Sequence, residues 1–160
     1  MIFVITGTEK YPLDRMVHEI DRLVGSGVIK DSVFMQLGSC SYEPVYCQWK
    51  RFLPFGEMCE KIEKSDTVIA HAGAGTTLLC VQLGHHPILF PRRSQFGEHV
   101  DDHQLSFARK FETTGSVKVA YELADLTSLA QTTTKSLNKT ANESTRSQLV
   151  EYLNAVLEER

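Results

Sequence analysis

Residues 71–87 read HAGAGTTLLCVQLGHHP. Two glycines, Gly73 and Gly75, alternate with alanines, two threonines follow, and an apolar stretch runs on to Gly84. The preceding DTVIAHAG (66–73) has the short apolar run of a buried strand, ending at Ala70 or His71. The glycines allow a sharp turn or a close backbone approach to a ligand. Thr76 and Thr77 are placed to cap the helix that follows. A helix start carries free N–H groups and partial positive charge, which suit phosphate. Two readings therefore stand on these residues alone: a phosphate cradle, or a glycine-lined turn with no ligand. The pattern is neither the GxGxxG fingerprint nor a P-loop, since no GK[ST] follows.

Outward from this stretch, strand and helix patterns alternate. IFVIT (2–6) is an apolar run closed by Gly7. PLDRMVHEIDRLVGSG (12–27) sets Leu13, Met16, Val17, Ile20, Leu23 and Val24 at helical spacing, with Gly25 and Gly27 ending the helix. SVFMQLG (32–38) and YCQWKRFL (46–53) read as strands, and FGEMCEKIEKS (55–65) as a short helix. PILFP (87–91) is a fifth strand. VDDHQLSFARKFETTG (100–115) is helical, with Val100, Leu105, Phe107, Ala108 and Phe111 as its apolar positions. SVKVAY (116–121) is a sixth strand, and ELADLTSLAQTTT (122–134) a further helix. Alternation of this kind predicts an α/β fold, an open parallel sheet flanked by helices and joined by right-handed crossovers. Ligands in such sheets bind outside the carboxyl ends of the strands, where Gly7, Gly38 and Gly73 fall.

The sheet domain is expected over residues 1–130. A polar linker and an amphipathic helix follow over 131–160, with Leu149, Leu153, Val156 and Leu157 on one face. The 160 residues, 42% of them hydrophobic and 23% charged, fit one globular domain. A net charge of −3 without a basic block argues against nucleic-acid binding. No run is long and apolar enough for a membrane span, and no leader peptide is visible, so a cytoplasmic chain is expected. Cys40, Cys47, Cys59 and Cys80 show no CxxC spacing and read as reduced, partly buried thiols.

A second polar cluster lies in FPRRSQFGEHVDDHQLSFA (90–108). It gathers Arg92, Arg93, Glu98, His99, Asp101, Asp102, His103 and Gln104 between a strand end and a helix start. Such groups are the partners that sugar hydroxyls require. His99 and His103, four apart, could share a helix face, but no third ligand is evident and no metal is expected. His85 and His86 read as exposed loop residues.

HAGAGTTLLCVQLG followed by GEHVDDHQLSFA resembles the C-terminal, donor-binding domain of glycosyltransferase family 28. MIFVITGTEKYPLDRMVHEID and KDSVFMQLGSCSYEP are similar to its short, single-domain members, the soluble subunits of two-part exopolysaccharide transferases. The eukaryotic small subunit of the dolichol-linked N-acetylglucosamine transferase is a more distant likeness. The resemblance spans about residues 1 to 125. It implies a Rossmann-like half of a GT-B enzyme that takes a UDP-sugar. The family's site, carried over, sets the backbone near Phe55 at uracil and Gly73, Ala74, Gly75 and Thr76 along the diphosphate. His103 and Gln104 match the positions at the sugar hydroxyls, and Gly7 and Thr8 the first glycine loop. His71, Thr77, Arg92, Glu98 and His99 complete the expected donor set. Many members carry a glutamate for the ribose where this chain has Leu79, which leaves Glu98 as the candidate there.

The resemblance further implies an inverting hexosyltransfer to a polyprenyl-diphosphate-linked saccharide. A membrane-anchored partner subunit would bring the acceptor and the general base, so no catalytic residue is assigned here. No cofactor is expected, the UDP-sugar being substrate. The helix start at Thr76 would stabilise the leaving UDP without a metal. The isolated chain could self-associate as a homo-oligomer. The alternative readings are a non-catalytic accessory subunit that activates a partner glycosyltransferase and a nucleotide-binding α/β domain of unrelated chemistry.

Overall fold

A computed structural model of the protein describes residues 1–133. Its first strand, β1 (Ile2–Ile5), is buried at every position. Ile2 and Val4 point to one face of a sheet and Phe3 and Ile5 to the other, because side chains alternate along a strand. A strand buried on both faces reads as a continuous apolar run, and IFVI is one.

The other strands are β2 (Val33–Gln36), β3 (Gln48–Lys50), β4 (Thr67–His71), β5 (Ile88–Phe90) and β6 (Lys118–Val119). They form one sheet in the order β3-β2-β1-β4-β5-β6. Every pairing is parallel, with Ile2 opposite both Val33 and Thr67. The strand of residues 46–53 is shorter than its sequence suggests. As a sheet edge, only Gln48–Lys50 finds ladder partners.

Among the described residues, five α-helices cover the faces: α1 (Asp14–Gly25), α2 (Phe55–Lys64), α3 (Ala74–Gln82), α4 (His103–Glu112) and α5 (Leu123–Thr133). Leu13, Met16, Val17, Ile20 and Leu23 pack with Ile2, Val4, Ile69, Phe90 and Leu126 on one side. Phe3, Ile5, Ile62, Ala70, Cys80, Leu89 and Phe111 fill the other. Each such fully buried large side chain contributes about 1.5–3 kcal/mol of transfer free energy.

Two readings of the sequence are corrected here. Val100 lies outside α4 and is 71% exposed, since Asp102 is the N-cap and the helix begins only at His103. His85 is buried rather than solvent-facing. The four cysteines are free thiols, and three of them are buried. The linker and the amphipathic stretch from Gln148 to Leu157 fall outside the described residues. Among those described, no helix is long and apolar enough to cross a membrane.

The strand order reverses between β1 and β4. Chain connections leave that junction in opposite directions, so a crevice opens above the carboxyl ends of those two strands.

Candidate functional site

A cleft of about 210 Å³ occupies that junction. Ile5, Gln36 and His71 form its floor, Gly7, Thr8 and Glu9 one wall, and Gly73 through Thr76 the other. Met58 of α2 closes one end.

His71, the last residue of β4, is wedged between the two glycine loops. A Cβ on Gly73 would stand 2.2 Å from its Nε2, and one on Gly7 would stand 2.6 Å from the same atom. Gly7 also holds φ +87°, which side-chain-bearing residues avoid. The imidazole Nδ1 faces the Ile5 carbonyl at 3.4 Å. A carbonyl only accepts, so Nδ1 carries the proton and Nε2 keeps its lone pair. Burial, reinforced by the nearby Arg92 cation, holds the His71 pKa down to about 3. The ring is therefore neutral at physiological pH.

Gly75 differs from Gly73. A Cβ there would meet nothing within 4 Å, so its missing side chain serves open space rather than packing. The alternation GAG thus divides into one glycine required by His71 and one that keeps the cleft clear. In α3 the Thr77 N–H is the group that reaches back to Gly73 O, at 3.0 Å. The N–H groups of Ala74, Gly75 and Thr76 precede it and lack an intrahelical acceptor. No acidic side chain sits in that first turn. The result is a concave, positively polarised wall suited to an anion.

Gln36 was not singled out by the sequence reading, yet it shapes the opposite wall. Its Oε1 accepts from Gly7 N at 3.1 Å, and its Nε2 donates to Gly7 O and Arg51 O, each at 2.9 Å. One side chain thereby clamps both polar groups of Gly7. The only signal was a polar residue at the end of the apolar run SVFMQLG. Glu9 and Met58 were likewise missed.

Several expected donor-binding residues serve the framework instead. Thr77 is fully buried and its hydroxyl donates to Gly73 O at 2.9 Å, so it neither caps α3 nor faces the cleft. Arg92 is 1% exposed and its Nη2 donates to the carbonyls of Thr6 (2.6 Å) and Tyr11 (3.0 Å). It props the first glycine loop from behind. Glu98 is buried and accepts a two-pronged bond from Arg15, at 2.9 and 3.0 Å, and a third from Arg93 N. That leaves its carboxylate committed, against the expected ribose contact. Gln104 is also buried, with Oε1 accepting from Arg92 N at 3.2 Å.

The remaining residues stay accessible. Thr8, Ala74 and Gly75 are exposed, and Thr76 is half-buried. Phe55 opens α2 and is 72% exposed, one turn before Met58. His103 is exposed at the start of α4. His99 lies beside it, with ring centroids 4.4 Å apart, and reaches Glu9 Oε2 through Nε2 at 3.1 Å. The second polar cluster thus meets the cleft through Glu9 and the first loop. Leu79, in place of the family's glutamate, packs its half-buried side chain against the core.

Solved structures share this architecture. The glycotransferase of kitacinnamycin superposes with a TM-score of 0.60 at 12% identity, over 97% of this chain and 40% of that one. MurG of Acinetobacter baumannii gives 0.50 at 16% identity, over 91% of this chain and 48% of that one. The glycosyltransferase SnogD from Streptomyces nogalater gives 0.50 at 15%, over 83% and 38%. The chain spans less than half the length of each, and at these identities the likeness is one of fold. No curated protein sequence matches it. The glycosyltransferase family 28 C-terminal domain, by contrast, matches residues 1–156, well past the 125 or so that the motifs covered. With nearly its whole length matched, the chain belongs to the glycosyltransferase family 28 C-terminal domain family.

Proposed function

We propose that this chain is the UDP-sugar-binding catalytic subunit of a two-component, inverting hexosyltransferase of polysaccharide biosynthesis. The observation that carries the reading is the α3 wall of the cleft. Gly75 leaves it open, and three uncommitted N–H groups line up where a diphosphate would lie. The exposed Phe55 backbone is offered to uracil and His103 to the sugar. Gln104 acts on the sugar pocket through Arg92 and the loop it holds.

The acceptor, a polyprenyl-diphosphate-linked saccharide, is assigned to a membrane-anchored partner subunit. That partner also supplies the general base and holds the pair at the cytoplasmic face of the membrane. Holding two reactants in register is worth about 7–11 kcal/mol of a barrier, which a donor half alone forgoes. The leaving UDP is stabilised by the α3 N-terminus. Leu79 favours a second reading, a non-catalytic subunit that activates its partner, because the usual ribose carboxylate is missing and Glu98 is committed to Arg15.

Calorimetry with UDP, UDP-glucose, UDP-galactose, UDP-glucuronate and UDP-N-acetylglucosamine tests the donor site. Turnover by the chain alone and with its partner separates the readings. Binding of one UDP-sugar with transfer only by the pair supports the proposal. Absence of any UDP affinity refutes the donor role, and robust transfer by the isolated chain refutes the two-component mechanism.

A further inference from the structure

We propose that His99, Asp101 and His103 form a site for a zinc-class divalent cation on the rim of the cleft. One ligand atom from each lies within 4.8 Å of the other two. The His99 Nδ1 and His103 Nδ1 atoms both face the same carboxylate oxygen, Asp101 Oδ1, at 3.4 and 2.5 Å. Bonds of about 2.0–2.1 Å to a tetrahedral zinc put neighbouring ligand atoms about 3.3 Å apart. The first distance already matches that edge. The second requires the exposed His103 ring to swing outward by less than about 1 Å, giving up its hydrogen bond to Asp101.

The surroundings prepare His99 for the role. Its Nε2 lies 3.1 Å from Glu9 Oε2, and a carboxylate accepts, so Nε2 holds the proton. The Asp101 N–H points at Nδ1 from 3.5 Å, which marks Nδ1 as the lone-pair nitrogen. A carboxylate behind a ligating imidazole is the usual outer-shell arrangement of zinc centres, fixing tautomer and ring plane. Tyr11 packs against the same ring at 4.9 Å and adds a second restraint. Asp101 Oδ1 also accepts from His103 N at 3.1 Å, which leaves it a second lone pair for an ion, and Asp102, whose Oδ1 accepts from Ser94 N at 2.8 Å, is not among the clustered ligands. Two imidazoles and one carboxylate select zinc or cobalt over calcium or magnesium, and leave one position open.

Binding would tie the first loop, through Glu9, to the first turn of α4. It would also engage His103, so that an ion there and a ligand reaching His103 from the cleft would influence one another. The inference rests on these side chains and not on the donor assignment, and its test uses no nucleotide.

Cobalt and zinc are titrated into the full chain, freed of any affinity tag, with visible absorption for cobalt and calorimetry for zinc. One ion per chain is expected, with the intense visible bands of tetrahedral cobalt. Asp101→Asn and His103→Ala are expected to remove binding. Both side chains are more than half exposed, so far-UV dichroism and the urea midpoint should not move. Glu9→Gln is expected to weaken binding about 10–100-fold through the outer shell. No saturable uptake by the wild-type chain overturns the site. So does uptake that persists unchanged in the double variant His99→Ala/His103→Ala, which would assign the ion to a thiol such as Cys59.

Discussion

Placing valine at position 75 is expected to abolish nucleotide binding while the domain stays folded. Gly75 is the second residue of α3, and a Cβ built there meets nothing within 4 Å. No packing is disturbed, and valine is the better helix former by about 0.3–0.5 kcal/mol. For a chain of this size that moves Tm by no more than about 2 °C. The added isopropyl group does enter a cleft of only about 210 Å³. It screens the N–H groups of Ala74, Gly75 and Thr76 from an incoming diphosphate. Hydrogen bonds to a charged group are worth about 1.5–3 kcal/mol each. Losing two costs about 3–6 kcal/mol, or at least a hundredfold in Kd. Gly73→Ala supplies the contrast. Its Cβ would stand 2.2 Å from the buried His71 Nε2, so overpacking should cost about 1–3 kcal/mol and about 2–12 °C in Tm. Calorimetric titration of UDP into wild type, Gly75→Val and Gly75→Ala, with thermal melts of all four proteins, decides the matter. A Gly75→Val protein that binds UDP within twofold of wild type would refute the cradle.

Glu98→Ala is expected to destabilise the fold by about 3–5 kcal/mol, because it strands Arg15 at 17% exposure. UDP affinity measured well below its melting point should change by no more than roughly twofold, about 0.4 kcal/mol; a large loss of affinity would restore the ribose role. Gln36→Leu strands Gly7 N–H and Gly7 O, while Arg51 O keeps its bond from Gly38 N, so a loss of about 2–6 kcal/mol in urea unfolding is expected. An unchanged midpoint would show that the clamp is dispensable. His71 titrates at about 3 in the fold against an ordinary 6.5, so below 6.5 the unfolded chain binds a proton that the native chain refuses. Its contribution is complete above pH 6.5 and declines as pH falls toward 3, by up to tenfold in the folding constant per pH unit. Urea midpoints from pH 7 to 4 should fall less steeply for His71→Asn than for wild type, and parallel slopes would contradict the buried neutral ring.

The sequence by itself determined the layers. IFVI and ILF are apolar at every position and TVIAH is apolar between Thr67 and His71, the pattern of short strands buried on both faces. The stripe from Leu13 to Leu23 could only be a helix lying on them. A continuous apolar run and a stripe repeating at 3.6 residues are both local patterns, which is why they are legible without coordinates. The parallel sheet, its helices and the glycine-bearing junction at residues 71–77 follow from them.

Tertiary structure decided which polar side chains face the cleft. Thr77, Arg92, Glu98 and Gln104 stand in the right segments, but each has a bonding group drawn to a framework partner, local for Thr77 and far along the chain for Arg92 and Glu98. Arg92 reaches Thr6 and Tyr11, and Glu98 reaches Arg15, each across more than 80 residues of chain. Gln36 and Glu9 acquire their roles only when β2 and the first loop are brought beside Gly7 and His99. Gly73 and Gly75 look alike in the sequence and differ only because His71 occupies the space beside one of them. A polar residue advertises its type but not its partner, and in this fold the partner lies up to 108 residues away.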